Sequence, residues 1–174
     1  KCKIVANQFS GLLLNIDNQE VWSKLIGTFN AYNLLTVYAI AVLLNQDKTN
    51  ILTTLSTLNS VEGRFQYIKT ENNIVGIVDY AHTPDALQNV LKTIADIRTG
   101  NEKVITVIGC GGDRDVAKRP IMAKIACDLS NKIILTSDNP RSENPEIIIK
   151  QMQQGVDAVN YKKTLAIADR SEAI

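Results

Sequence analysis

Three short stretches concentrate the side chains of this chain that could hold a ligand or take part in chemistry. The first is Val78-Asp79-Tyr80-Ala81-His82-Thr83-Pro84-Asp85, where a hydrophobic run stops abruptly and polar groups follow. Asp79 offers a carboxylate acceptor at a strand tip, and His82 is the single histidine of the chain. Thr83 and Pro84 have the order of a helix N-cap and a first helical position, where the missing N–H costs nothing. The second stretch is Gly109-Cys110-Gly111-Gly112-Asp113-Arg114-Asp115, followed by Lys118-Arg119-Pro120. Its glycines allow positive φ and let backbone approach a ligand closely. It is neither a Walker A motif nor G-x-G-x-x-G, and spacing alone reads equally as a tight turn with a solvated charge cluster. The third is Asp138-Asn139-Pro140-Arg141. Asn139 can donate and accept, Pro140 restricts the loop, and Arg141 carries a rigid fork suited to a carboxylate. Alone it reads as a proline turn with a surface arginine. Together with Arg114, it suggests a site for a substrate with at least one carboxylate.

These loops need elements to hold them. Runs at 74–79, 104–108 and 133–137 are rich in β-branched residues and apolar on both faces, the pattern of parallel strands covered by helices. Each leads into a helical stretch, 84–98, 117–129 and 145–153. Leu87, Val90, Leu91, Ile94 and Ile97 trace one apolar face of the first, with Gly100 as its C-terminal cap. Strands alternating with such helices imply βαβ units, whose right-handed crossovers put all three loops on one sheet edge, where open α/β sheets bind ligands. Upstream, 3–5 and 11–16 read as short strands. Residues 28–44 read as a helix whose apolar stripe includes Leu34, Leu35, Tyr38 and Val42, and 50–58 as a second. The polar stretch 59–63 and the change of hydrophobic period after it place a domain boundary between 1–62 and 63–174. The expected class is α/β: a Rossmann-like, mostly parallel sheet flanked by helices, preceded by part of another domain.

The 174 residues, 45% hydrophobic, suit one ordinary domain or one plus a piece of a neighbour. A net charge of +1 from 19 basic and 18 acidic residues gives no global field for nucleic acid or a membrane surface. Cys2, Cys110 and Cys127 are odd in number and irregular in spacing, which fits a reducing, cytoplasmic setting and neither a disulfide framework nor a zinc site. His82 has no Cys or acidic residues at ligand spacing, so no metal site is expected around it. No apolar run has transmembrane length and no signal peptide is recognisable. The start at Lys1 in strand-like sequence is expected of an internal fragment.

The octet around Asp79 resembles a motif of the Mur ligases, in particular the tripeptide synthetase branch that builds bacterial peptidoglycan precursors. Gly27-Thr28-Phe29-Asn30-Ala31-Tyr32-Asn33 is similar to the end of the family's central ATPase domain, and Gly63-Arg64 to the start of its C-terminal domain. Residues 109–120, 138–141 and Asp169-Arg170-Ser171-Glu172-Ala173-Ile174 resemble later motifs in the family's order. Asn30 and Asn33, three apart on one helical face, and Arg64 carry little weight by spacing alone.

The resemblance implies ATP-dependent amide formation. ATP would phosphorylate the free carboxylate of UDP-N-acetylmuramoyl-L-alanyl-D-glutamate, and an amino-acid amine would displace the phosphate through a tetrahedral intermediate. Asn30, Asn33, Arg64, Asp79 and His82 would line the ATP. Arg114, Asp138, Asn139, Pro140 and Arg141 would bind the amino acid. The Asp-Asn-Pro-Arg form implies meso-diaminopimelate, whose second carboxylate lysine lacks; a lysine-adding enzyme, or a silent nucleotide- or peptide-binding module of the same fold, is the alternative. Magnesium is implied, but its ligands, the P-loop and a carbamylated lysine would lie upstream, and a Gly-Lys-Gly-His-Glu segment downstream. No catalytic residue is assigned within the chain, which is expected to be inactive alone and monomeric. Glu62, Gln66, Thr28 and Val116-Ala117 depart from the family pattern.

Overall fold

The computed structural model describes residues 1–72 and 74–174. It divides into two compact units, Lys1–Tyr80 and Ala81–Ile174.

The first unit begins with an antiparallel meander, β1 (Cys2–Gln8), β2 (Gly11–Ile16) and β3 (Gln19–Ser23). The β2–β3 turn is Asp17-Asn18, both at positive φ (48° and 68°), the two-residue turn whose twist matches a hairpin. Gly11 has φ 139°, and a Cβ there would fall onto the Ser23 carbonyl, so glycine is what lets β2 start against β3. β2 buries Leu12, Leu14 and Ile16 against α1 (Thr28–Leu43) and α2 (Lys48–Thr57), which supply Leu34, Tyr38, Ile51, Leu52 and Leu55. Each of these leucine and isoleucine side chains contributes roughly 1.5–3 kcal/mol by leaving water. α2 begins two residues before the expected 50 because Asp47 accepts the Asn50 N–H at 2.9 Å and caps it. α1 is apolar on its other face too: Val37, Ile40 and Leu43 are exposed.

β4 (Gln66–Lys69) and β5 (Val75–Val78) form an antiparallel pair, with Gln66 opposite Val78 and Tyr67 opposite Ile77. This corrects one expectation. The strand foreseen at 74–79 exists, but it pairs with β4 rather than joining a parallel sheet with the two later strands. Its apolar run fixes the extended state, whereas the choice of partner is a non-local matter that periodicity does not carry.

In the second unit α3 (Pro84–Ile97), β6 (Ile105–Ile108), α4 (Lys118–Leu129), β7 (Lys132–Leu135), α5 (Pro145–Gln153), a 3₁₀ turn (Tyr161–Lys163), β8 (Thr164–Ala166) and α6 (Arg170–Ala173) follow in order. β6, β7 and β8 make a parallel sheet in that spatial order, so β6–α4–β7 and β7–α5–β8 are βαβ units. The core packs Leu87 and Leu91 of α3, Ile133 and Leu135 of β7, and Ile148 and Met152 of α5 around α4. α4 presents Met122, Ala123, Ala126 and Cys127, all wholly buried; the small residues let helix and sheet approach closely. Among the described residues, no helix is long and apolar enough to cross a membrane.

Candidate functional site

In the first unit, the end of β5 and the start of α1 are tied together through Phe65. Phe65 is buried with φ 45°, and its N–H donates to Asp79 Oδ2 at 2.8 Å. Its ring meets Phe29 edge-on, with centroids 5.8 Å apart. The Arg64 guanidinium lies 4.7 Å from the centre of the Tyr80 ring, within cation–π reach. Asn30, beside Phe29, donates to the Ile26 carbonyl at 2.8 Å and accepts from Asn33 at 3.3 Å. Asn30, Arg64 and Asp79 are therefore linked through one aromatic contact and its flanking residues. Asn33, by contrast, is exposed and reaches this group through Asn30. Phe29 and Tyr80 stand inside stretches quoted from sequence without a role of their own, and Phe65, next to the Gly63-Arg64 pair, is not named there at all.

In the second unit, Thr83 caps α3 by accepting the Ala86 N–H, and Pro84 occupies the first turn, as the octet's order foretold. The His82 carbonyl accepts from Lys118 Nζ at 2.7 Å, which attaches this loop to the one after β6.

The loops after β6 and β7 are laced together through backbone and side-chain bonds. Gly112 N–H donates to the Asn139 carbonyl at 2.8 Å, and Arg141 Nη1 donates to the Gly112 carbonyl at 2.6 Å. Ser142 gives its N–H and hydroxyl to the two oxygens of Asp113, at 3.2 and 2.7 Å. Those bonds hold the Asp113 carboxyl below its usual range. The glycines serve this contact. A Cβ at Gly109 would crowd the Thr136 carbonyl and Asp138, one at Gly112 would fall onto the Pro140 carbonyl, and one at Gly111 would meet Arg141 Nη1. Positive φ, which glycine allows, is taken up here by Asp113 (51°) and Arg141 (49°), while the glycines let the two loops approach each other closely.

Arg119 overturns the reading of the charge cluster as wholly solvated. It lies on the buried face of α4, in step with Met122, Ala123 and Ala126, and its side chain is fully shielded from solvent. Nη1 and Nη2 grip the two Glu143 oxygens at 2.8 Å each, Nη2 reaches the Gly111 carbonyl at 3.2 Å, and Nη1 also binds the Gln151 side chain. Glu143 accepts the Asp113 N–H at 2.6 Å as well. The Arg119 fork first, and that backbone N–H second, hold its carboxyl down at about 2. Glu143 and Gln151 were missed; helical periodicity from Arg119 to the apolar stripe was the signal available. Arg114, Asp138, Asn139 and Arg141 are exposed, with Pro140 half-buried between them. Among the described residues, no group of three or more His, Cys, Asp or Glu side chains could hold a metal ion.

Residues 63–174 match the family model described as Mur ligase, glutamate ligase domain. The whole chain is 53% identical to a UDP-N-acetylmuramoyl-L-alanyl-D-glutamate--2,6-diaminopimelate ligase of Cytophaga hutchinsonii and 52% identical to one of Bacteroides thetaiotaomicron, covering 36% of each. The chain thus spans about a third of the length of these curated relatives. A solved structure of a ligase of the same description aligns over 96% of the chain and 34% of its own length, at 38% identity and TM-score 0.62. Folylpolyglutamate synthase from Thermotoga maritima, at 17% identity, shares the fold over 99% of this chain and 40% of its own, with TM-score 0.77. The chain belongs to the Mur ligase family.

Proposed function

We propose that this chain is the part of a diaminopimelate-adding muramoyl-tripeptide synthetase that presents the incoming amino acid and one side of the nucleotide, and that residues 63–174 form its C-terminal domain. The whole protein joins meso-diaminopimelate to UDP-N-acetylmuramoyl-L-alanyl-D-glutamate in the bacterial cytoplasm, as a monomer. ATP phosphorylates the glutamate side of the acceptor, leaving ADP. The amine of diaminopimelate then attacks the acyl phosphate, and the tetrahedral intermediate collapses with loss of phosphate.

Asn30, Asn33, Arg64, Asp79 and His82 face ATP in this reading. Asp79 suits ribose hydroxyls as a carboxylate acceptor, and the Arg64–Tyr80 stack supplies a flat apolar surface beside a positive charge. Arg114, Asp138, Asn139, Pro140 and Arg141 hold diaminopimelate, the two guanidinium groups answering its carboxylates. Excluding water from the acyl phosphate falls to closure of the whole protein over its substrates. Magnesium would neutralise phosphate charge; its ligands are assigned outside this chain.

The observation that carries the reading is the lacing of the two loops that bear Arg114 and Arg141. Two unrelated surface arginines would have no need of a shared, glycine-dependent frame. The test is ATP-dependent phosphate release by the whole protein with UDP-N-acetylmuramoyl-L-alanyl-D-glutamate present and each amino acid supplied in turn. Release that requires meso-diaminopimelate supports the proposal. Release with lysine alone would overturn the specificity, and release with neither would favour a different activity.

A further inference from the structure

Arg119 is the one charged residue among the described residues that is wholly buried, and no ligand-facing role above uses it. A charge taken out of water is costly unless its partners are held in good geometry. Here the guanidinium meets both Glu143 oxygens, the Gly111 carbonyl and the Gln151 side chain, leaving only Nε without a partner. The partners span both loops. Gly111 precedes Arg114 by three residues, and Glu143 follows Arg141 by two. Glu143 also ties back to each loop through its own atoms, accepting the Asp113 N–H at 2.6 Å and donating its N–H to the Pro140 carbonyl at 2.9 Å.

We propose that Arg119 and Glu143 are positioning residues that fix the spacing between Arg114 and Arg141, and thereby the separation of carboxylates the site accepts. This rests on the amino-acid reading of those two arginines. The physical basis is the two-point geometry. A planar fork against a carboxylate defines direction as well as distance, which a single ammonium in the same place does not. α4 is anchored in the core, so the pair ties the loops to a fully packed helix.

The experiment uses the whole protein with Glu143→Gln and, separately, Arg119→Lys. Each is expected to raise KM for meso-diaminopimelate about tenfold or more while KM for ATP moves less than about twofold, since a displacement on the order of 1 Å suffices for such losses. The preference for diaminopimelate over lysine should fall in parallel. Amide exchange at 109–114 and 139–143 should speed up together. If Arg119→Lys does not fold, Glu143→Gln carries the test, and Ser142→Ala, which removes the hydroxyl half of the neighbouring tie to Asp113, should act in the same direction. Unchanged KM for diaminopimelate in folded Glu143→Gln protein, or equal losses for both substrates, would overturn the proposal. Wild-type protein that ignores diaminopimelate would sink the site reading instead; the exchange measurement needs no substrate, and unchanged exchange in Glu143→Gln would refute the positioning role on its own.

Discussion

Arg141 donates from Nη1 to the Gly112 carbonyl at 2.6 Å, so the arginine assigned to substrate is also one of the links between its own loop and the glycine loop. The fork is held before any ligand arrives, which lowers the entropy lost on binding. It also means that substitutions at either residue reach the other.

For Arg141→Ala, the expected result in the whole protein is a loss of meso-diaminopimelate binding of roughly 2–5 kcal/mol, the range for removing one partner of a hydrogen-bonded charge pair. ATP binding should change far less. Steady-state KM values for both substrates measure it, and equal losses would contradict the role given to Arg141.

Gly111→Ala and Gly112→Ala should separate frame from fork. A Cβ at Gly112 runs into the Pro140 backbone, which cannot move aside locally, and overpacking of this kind costs about 1–3 kcal/mol. At Gly111 it meets the end of the Arg141 side chain, which can swing away. Thermal melts should show the larger drop for Gly112→Ala, whereas Gly111→Ala should fold well and lose diaminopimelate affinity.

Glu143 gives the acid limb of stability a named contributor. Its carboxyl is held at about 2, against an ordinary value of 4.5, so the folded state prefers the ionised form. That stabilisation is fully present above about 4.5 and is lost as pH falls through about 2. Asp113, lowered by Ser142, acts in the same sense. Denaturation midpoints measured across this range should fall less steeply for Glu143→Gln than for wild type.

Asp79→Ala removes the acceptor for the N–H of buried Phe65. An orphaned buried donor costs about 1–3 kcal/mol, so the melting temperature should drop. On the nucleotide reading, KM for ATP should also rise while KM for meso-diaminopimelate does not; the reverse split would move Asp79 out of the nucleotide site.

Local signals carried the helices furthest. The helix expected at 145–153 is found with those bounds because Asn144 caps it and Pro145 opens it, both readable chemistry. β3 was not foreseen: Gln19–Ser23 has only Val21 and Trp22 as apolar residues, and its strand character comes from pairing with β2. β4 and β8, four and three residues long, are too short for a period to register. The three loops were placed correctly in the chain, and the residues that could do chemistry in them were legible by type. What sequence could not show was that the glycines face another loop, or that Arg119 points inward to meet Glu143. Both depend on contacts between segments about 25 to 30 residues apart, beyond the reach of spacing rules.

The central claim is that the laced loops recognise the second carboxylate of diaminopimelate. Its most direct test is the ratio of kcat/KM for meso-diaminopimelate to that for L-lysine, measured on the whole protein with saturating ATP and UDP-N-acetylmuramoyl-L-alanyl-D-glutamate. A site built to pair that carboxylate should give a ratio of about 10⁴ or more in favour of diaminopimelate. A ratio near one, or a preference for lysine, would contradict the account.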